Sequence, residues 1–333
     1  MNDTFTISAD QHGSRLQDVL SARYPTYSVS SLLALLASGG AAVNGTSGTR
    51  HLSVNEGDIV EVSFPEEGLR EVEPRRTAFD ILYEDPSCIV INKPAGMAVV
   101  PERDARDYPL MSGMLYYLRN DSPYATGRLI RPMIVHRLDK DTTGALVIAK
   151  DLPALRDLSG QFESRTVHKE YLAIVRGKPP SEFEVALPIT SKRVKGGRAV
   201  IDRRRGRPAA TVVRAEEYFR GFALVRAVPK TGRMHQVRLH LKAAGYPLAV
   251  DPLYSGRSGT KPALYLSQFK PGYRPKAGRP EKPLIARQTL HAHRLQFGLC
   301  DESGDRKTVG VEAPLPRDME VALKMLRKYR AES

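Results

Sequence analysis

The segment VHRLDKDTTGALVIAK, residues 135–150, gathers two carboxylates, Asp139 and Asp141, with His136, Arg137, Lys140, Thr142 and Thr143. Apolar residues flank it, Ile134–Val135 before and Ala145–Ala149 after, so the charges occupy a tight turn between two strand-like stretches. A carboxylate held among cations is favoured in its ionised form, and an ionised carboxylate is a nucleophile or a base. Asp139, beside Arg137 and Lys140, is the candidate for that role. Plain turn chemistry uses the same residue types, since Asp141–Thr142–Thr143–Gly144 is a good turn in its own right. Two residues far along the chain could serve the same site. Tyr171, in the apolar stretch HKEYLAIVRG, offers a ring for stacking, with an ordinary core tyrosine as the plainer use. Arg238 alternates with Val237 and Leu239 in TGRMHQVRLHLKAAG. That alternation reads as a strand whose arginine points away from the apolar face, either into solvent or into a bidentate pair with Asp139. His291–Ala292–His293 and the pair His235 and His240 bring no cysteine or carboxylate cluster at ligand spacing, so no metal site is expected.

Residues 1–70 read as a small unit. SRLQDVLSARY places Leu16, Val19 and Leu20 on one helical face, and SVSSLLALLASGG, opened by serine and closed by glycine, reads as a second short helix. AAVNGTSGTRHLSVNEGDIVEVSF alternates like strands around an Asn44–Gly45 turn. The acidic, proline-bounded stretch 65–76 looks like a linker. The expected division is therefore a domain over 1–70, a linker over 71–78 and a larger domain over 79–333. In the larger part, FDILYEDPSCIVINKPAGMAVVP alternates apolar runs with the turn signals Asp85–Pro86 and Lys93–Pro94–Ala95–Gly96. LPALRDLSGQFESRTVHKEYLAIVRG predicts a helix leading into a strand, ATVVRAEEYF and FALVRAVP predict further strands, and PRDMEVALKMLRKYRAES predicts a closing amphipathic helix. Strands grouped with few helices predict an α+β domain around a mostly antiparallel or mixed central sheet. Residues 257–289, rich in proline, glycine, lysine and arginine, look like an ordered loop excursion.

Net charge is +14 over 333 residues, and it is unevenly placed. Residues 1–90 carry −7, which leaves +21 on residues 91–333. Such asymmetry points to a polyanionic partner for the larger part, nucleic acid first among them. Two cysteines, Cys88 and Cys300, give neither a disulfide framework nor a zinc set. No run of eighteen apolar residues exists, and MNDTFTISADQHGSR lacks the basic and apolar regions of a secretory signal. The expectation is a cytoplasmic protein with no membrane partner.

HRLDKDTTG resembles the HRLD-x-x-TSG motif of the RluA family of pseudouridine synthases, in which the aspartate is the single catalytic residue. Three more segments match in the right order. ILYEDPSCIVINKPAGMAVVP is similar to the family's Asn-Lys-Pro-x-Gly segment, HKEYLAIVRG to its Lys-x-Tyr strand, and KTGRMHQVRLHLKAAGYPLAVDPLYSG to its Gly-Arg-x-His-Gln-Ile-Arg-x-His segment. The resemblance covers residues 79–300 and implies the pseudouridine synthase fold. It makes Asp139 the catalytic residue, Arg238 its buried partner, Tyr171 the stacking ring and Arg137 the arginine that fills the space left by a flipped base. His136 and Thr143 join them as expected substrate-binding residues. SKRVKGGRAVIDRRRGRPAA, residues 191–210, holds eight bases against Asp202 and suits an RNA-backbone loop, a solvated loop being the alternative. Lys192, Arg193, Lys195, Arg198, Arg203, Arg204 and Arg205, with Arg233, His235 and Gln236 further on, are the expected backbone contacts. No metal or organic cofactor is implied. Asp139 could attack the anomeric carbon or the pyrimidine ring, or take a ribose proton, and the sequence does not choose.

Thr143 stands where the family usually has serine, and AVDPLYSG replaces Gly-Asp-x-x-Tyr-Gly while keeping Asp251 and Tyr254. The first 70 residues resemble the small RNA-binding domain shared with ribosomal small-subunit protein four. From Tyr24 to Thr49 there is no charged residue, so a weak grip on RNA is expected there. The implied partner is structured RNA, ribosomal RNA of the large subunit ahead of transfer RNA, bound by a monomer. Two rivals stand beside this reading. Asp139–Lys140–Asp141–Thr142–Thr143 also fits the Asp-x-Asp-x-Thr pattern of haloacid-dehalogenase-like phosphatases, although His136 and Arg137 intrude where that motif needs an apolar strand. A non-catalytic RNA-binding assembly factor on the same fold is the other.

Overall fold

The computed structural model describes residues 2–100, 108–191, 198–254, 262–275, 279–300 and 305–332. The chain divides into two compact units, Met1–Ile91 with Ala98–Arg137 and Val147–Ser164, and Asn92–Met97 with Leu138–Leu146 and Arg165–Ser333.

The first unit opens with β1 (Asn2–Thr6), α1 (Leu16–Arg23), α2 (Val29–Ala37), β2 (Ala41–Val43), β3 (Thr46–Ser47) and β4 (Ile59–Ser63). The strands form an antiparallel sheet in the order β1-β4-β2-β3. Leu16, Val19 and Leu20 of α1 and Leu32, Leu35 and Leu36 of α2 are buried, the faces their spacing predicts. Ser28 caps α2 by accepting the Ser31 N–H at 3.1 Å. Asn44 and Gly45 both take positive φ, 49° and 75°, the pair that a two-residue hairpin turn demands. The rest of the unit comprises β5 (Ile81–Glu84), part of β6 (Cys88–Lys93), α3 (Pro109–Asn120), β7 (Met133–Ile134), the end of β8 (Thr143–Ala149) and α4 (Leu152–Ser164). The stretch after residue 64 is tied down: Val72 N–H donates to the Thr26 carbonyl at 2.6 Å, and Ser28 N–H to that of Arg70 at 3.0 Å. Arg131 is buried and donates to the Pro25 and Tyr27 carbonyls, and burial lowers its pKa to about 10.

The second unit adds β9 (His168–Arg176), β10 (Glu182–Val185), β11 (Ile189–Thr190), β12 (Val200–Ile201), β13 (Thr211–Phe219), β14 (Phe222–Pro229), α5 (Gln236–Ala243), β15 (Leu290–Cys300), β16 (Arg306–Glu312) and α6 (Arg317–Arg330). Its sheet runs β10-β13-β14-β9-β15, every pair antiparallel, with β16 antiparallel on β15. The start of β8 lies parallel to β15, pairing Thr143 with His291 and Gly144 with Ala292. Gly144 is required there: at φ 114° a Cβ would lie 2.1 Å from the Ala292 carbonyl oxygen. Strand alternation sorts the core. Leu172 and Ile174 of β9 pack with Met319, Leu323 and Leu326 of α6, while Ala173 and Val175 pack with Val237 and Leu241 of α5. This is the expected α+β architecture around a mostly antiparallel sheet. Among the described residues no helix is long and apolar enough to cross a membrane.

The segment around Arg238 corrects the sequence reading, for it is helix α5 and not a strand. Gln236 through Leu241 are all buried, so the alternation of apolar and charged residues marks no single exposed face. The polar members are instead consumed by internal partners. His240, for one, bonds the Thr211 hydroxyl and the Leu187 carbonyl, each at 2.9 Å.

Candidate active site

Asp139 lies in the turn leading into β8, which closes with the Thr142 N–H donating to the Asp139 carbonyl at 3.0 Å. α5 presents Arg238 to it. Arg238 donates from Nη1 to Asp139 Oδ2 at 2.7 Å. It also grips Asp251 with two parallel bonds, Nε to Oδ2 at 2.8 Å and Nη2 to Oδ1 at 2.7 Å. The Arg238 and Asp251 side chains are 5% and 2% exposed, whereas that of Asp139 is 25% exposed, so only the last is open to a ligand. Burial is the largest single influence on Arg238 and opposes its charge, yet Asp251 and Asp139 overcome it and raise the guanidinium above its usual range. Asp251 Oδ1 also accepts the Leu253 and Tyr254 N–H groups at 3.0 and 3.2 Å, which fixes the anchor in turn.

The second oxygen of Asp139 has a different neighbour. His235 Nε2 lies 3.8 Å from Asp139 Oδ1. The opposite ring nitrogen, Nδ1, is hydrogen-bonded to the Tyr254 hydroxyl at 2.7 Å. His235 precedes α5 in a left-handed conformation, φ 55° and ψ 24°, which costs an L-residue roughly 1–2 kcal/mol. The Tyr254 ring lies under the Arg238 guanidinium, 4.9 Å from carbon to centroid.

Tyr171, on β9, pairs with Ala227 of β14 and Ala292 of β15 and packs against the α5 side of the sheet. Burial first and the Asp139 carboxylate second raise its phenol above the ordinary range. Carboxylate, guanidinium and phenol thus converge within one unit. Lys93 supports the same turn. Fully buried, its ammonium donates to the carbonyls of Pro94, Met97 and Lys140 at 2.8, 2.9 and 2.9 Å. Burial lowers its pKa to about 7, against the opposing pull of the Asp141 and Asp139 charges.

Several expected site residues do other work. The Thr143 hydroxyl is buried and bonded to His291 Nδ1 at 2.9 Å, so it is not presented to a substrate. His136 belongs to the first unit, where its ring stacks on Phe162 at 4.5 Å and its Nε2 accepts the Val147 N–H at 3.1 Å. Arg137, also in that unit, is exposed. Gln236 is buried and bonds Thr231, Arg233, Ala210 and Thr211, which leaves its amide nothing to offer an RNA backbone. His235 faces Asp139 and Tyr254, a placement different from the backbone contact expected of it. Arg198, Arg203, Arg204 and Arg205 are exposed on and around the β11–β12 hairpin. Asp202 accepts the Arg204 and Arg205 N–H groups, which hold its carboxyl below the usual range and shape the turn that displays those arginines. Arg233 is half-buried and donates to the Pro208 carbonyl at 3.2 Å. Lys192, Arg193 and Lys195 lie outside the described residues, as do parts of the 257–289 excursion. The Asp-x-Asp-x-Thr reading loses its threonine to His291, and Asp139 stands in the turn that leads into β8 where that motif needs the end of an apolar strand.

Lys93 was not singled out by the sequence reading, though a lone charge closing the apolar run CIVINK is an available signal. The part played by His235 had none, because an αL residue before a helix has no sequence periodicity.

Residues 87–243 match the family model described as RNA pseudouridylate synthase. The chain is 35% identical over 329 residues to ribosomal large subunit pseudouridine synthase D of Neisseria meningitidis serogroup B, covering 97% of this chain and 81% of the relative. It is 32% identical to an uncharacterized RNA pseudouridine synthase of Bacillus subtilis, covering 97% of each. Among solved structures, human RNA pseudouridylate synthase domain containing 4 superposes with a TM-score of 0.54 at 27% identity, over 74% of this chain and 93% of that one. Likeness of this extent, in sequence and in fold, places the chain in the RluA family of RNA pseudouridine synthases, isomerases that turn uridine in RNA into pseudouridine.

Proposed function

We propose that this chain isomerises uridines of large-subunit ribosomal RNA and that Asp139 is the group that reacts. One observation carries the assignment of the residue: Arg238 fixes Oδ2 of Asp139 at 2.7 Å and leaves Oδ1 unpinned on the one partly open carboxylate of the buried pair. A uridine inside folded RNA must leave its stack to reach such a group. Tyr171 offers the flipped base a ring, and the exposed arginines of the β11–β12 hairpin suit the flanking phosphates. In the isomerisation the bond from ribose C1′ to N1 breaks and one from C1′ to C5 forms. The proton on C5 is lost, and N1 gains one. Asp139 Oδ1 begins this by attacking C1′ or the ring, or by removing a ribose proton, while Arg238 balances its charge.

The large-subunit target rests on the names of the relatives. A cytoplasmic, monomeric enzyme is in keeping with it. The 1–70 module, with its neutral α2, is read as a form of the domain shared with ribosomal small-subunit protein four that adds little RNA affinity. Pseudouridines mapped transcriptome-wide in a deletion strain test the proposal. Sites in large-subunit RNA should vanish, return with the wild-type gene, and stay absent with Asp139→Asn. Loss confined to transfer RNA would redirect the target, and loss of no site would favour a non-catalytic RNA-binding protein.

A further inference from the structure

From the accounting of protons around Asp139 we infer that His235, anchored by Tyr254, is a positioning residue that donates from Nε2 to the reacting oxygen of Asp139. The inference rests on the reading of Asp139 as the reacting group. Among the described residues, Arg238 Nη1 lies 2.7 Å from Oδ2 of Asp139 and His235 Nε2 lies 3.8 Å from its Oδ1, while Tyr171 and Lys93 also feel its charge. The guanidinium is locked by Asp251, so Oδ2 is fixed. Orientation and proton environment of Oδ1 therefore fall to the imidazole.

The Tyr254 hydroxyl has one proton and three partners. It accepts from the Ala199 N–H at 3.0 Å, lies 2.9 Å from the Ala199 carbonyl and 2.7 Å from His235 Nδ1. If its proton goes to the carbonyl, Nδ1 must carry a hydrogen, and a neutral ring turns a bare lone pair toward the carboxylate. If its proton goes to Nδ1, Nε2–H faces Oδ1. The second arrangement, or the imidazolium, is the one an anion at 3.8 Å favours. Passing from the first to the second takes rotation of the Tyr254 hydroxyl together with transfer of the ring proton from Nδ1 to Nε2, by way of the imidazolium and solvent. The pair is therefore a local proton switch whose setting follows the charge on Asp139. The gap of 3.8 Å exceeds a hydrogen bond, so donation from Nε2 requires the contact to shorten in the complex with substrate.

The backbone supports the same conclusion independently. His235 holds an αL conformation at the start of a buried helix, φ 55°, and its side chain does not cap that helix. Strain of this kind persists where surrounding structure enforces it, and here it aims the ring at Asp139 and Tyr254. An RNA-backbone role would call for a ring turned outward.

Steady-state isomerisation of the RNA that the wild-type protein modifies, with RNA affinity measured separately, tests this in four variants. His235→Ala should lower kcat by about ten- to a hundredfold with RNA affinity unchanged. In His235→Gln the side-chain amide reaches the Nε2 position, and most of kcat should return. His235→Asn retains only the Nδ1 position toward Tyr254 and should fall with alanine. Tyr254→Phe, which keeps the ring under Arg238, should lower kcat in the same direction by releasing the imidazole. Full kcat in His235→Ala with weakened RNA binding and a shallower salt dependence would overturn the inference in favour of a phosphate contact. So would glutamine no better than asparagine, a comparison that holds even if the alanine variant folds poorly. An Asp139→Asn control that stays active would instead overturn the reading of Asp139 itself.

Discussion

Arg238 is held by carboxylates on two sides, and removing one partner leaves a buried guanidinium half-paired. Breaking a buried pair by deleting one member costs about 3–5 kcal/mol, mostly because the remaining charge is uncompensated. Asp251→Asn keeps the shape and removes the charge. It should lower stability by about 3 kcal/mol in urea unfolding and lower kcat by releasing Arg238 from Asp139. Unchanged kcat would mean that Asp251 is not needed to hold Arg238 in place. Asp139 was legible from its cations and motif, whereas Arg238 came as its buried partner only through the family resemblance: the strand alternation it was also read from is helix α5, and its two-bond grip falls on Asp251. Thr143 and Gln236 misled for a common reason. A polar side chain inside a motif looks ligand-facing, yet a buried one must first satisfy its own hydrogen bonds, and both do so within the protein.

Helices α1, α2 and α6 and the Asn44–Gly45 hairpin could be read from spacing and end signals, because each buries one face and exposes another. α5 could not. Gln236 to Leu241 are buried on every side of the helix and so carry no amphipathic period, and their polar members fall at alternate positions by accident of their separate partners. The parallel contact of β8 with β15 was equally hidden, since it depends on residues 148 positions apart. His291 marks that contact and makes it sensitive to acid. Its Nε2 faces the Ala313 carbonyl at 3.1 Å and must carry the hydrogen, so Nδ1 accepts from Thr143. Burial lowers its pKa from 6.5 to about 4. As pH falls the unfolded chain takes up this proton before the folded one does. Stability from His291 is therefore full above about pH 6.5 and is lost as pH falls toward 4, by on the order of 3 kcal/mol. Urea unfolding at pH 7 and pH 4.5 should show His291→Gln losing less between the two than the wild type. Equal losses would contradict the buried, neutral ring.

Over the whole chain, the division of charge, −7 on residues 1–90 against +21 beyond, assigns RNA attraction to the larger part. Exposed Arg203, Arg204 and Arg205 stand where that attraction is expected to act. Each phosphate contact contributes about 0.9 to the slope of log affinity against log salt on duplex and about 0.7 on single strands. Replacing the three arginines with serine should flatten the slope by roughly 2 to 3 while leaving kcat at saturating RNA intact. A slope unchanged by the triple variant would place the RNA path elsewhere. The path of RNA over the surface was not legible in composition, which reports the sign of the partner and not its route.

The central claim, that Oδ1 of Asp139 begins the rearrangement, is tested most directly by tritium release from RNA labelled at C5 of uridine, since forming the new carbon bond expels that hydrogen to water. In single-turnover reactions with enzyme in excess, the wild type should release the label from its target uridine. Asp139→Asn should release none while binding the same RNA with nearly unchanged affinity. Release by the asparagine variant at a rate near that of the wild type would contradict the account.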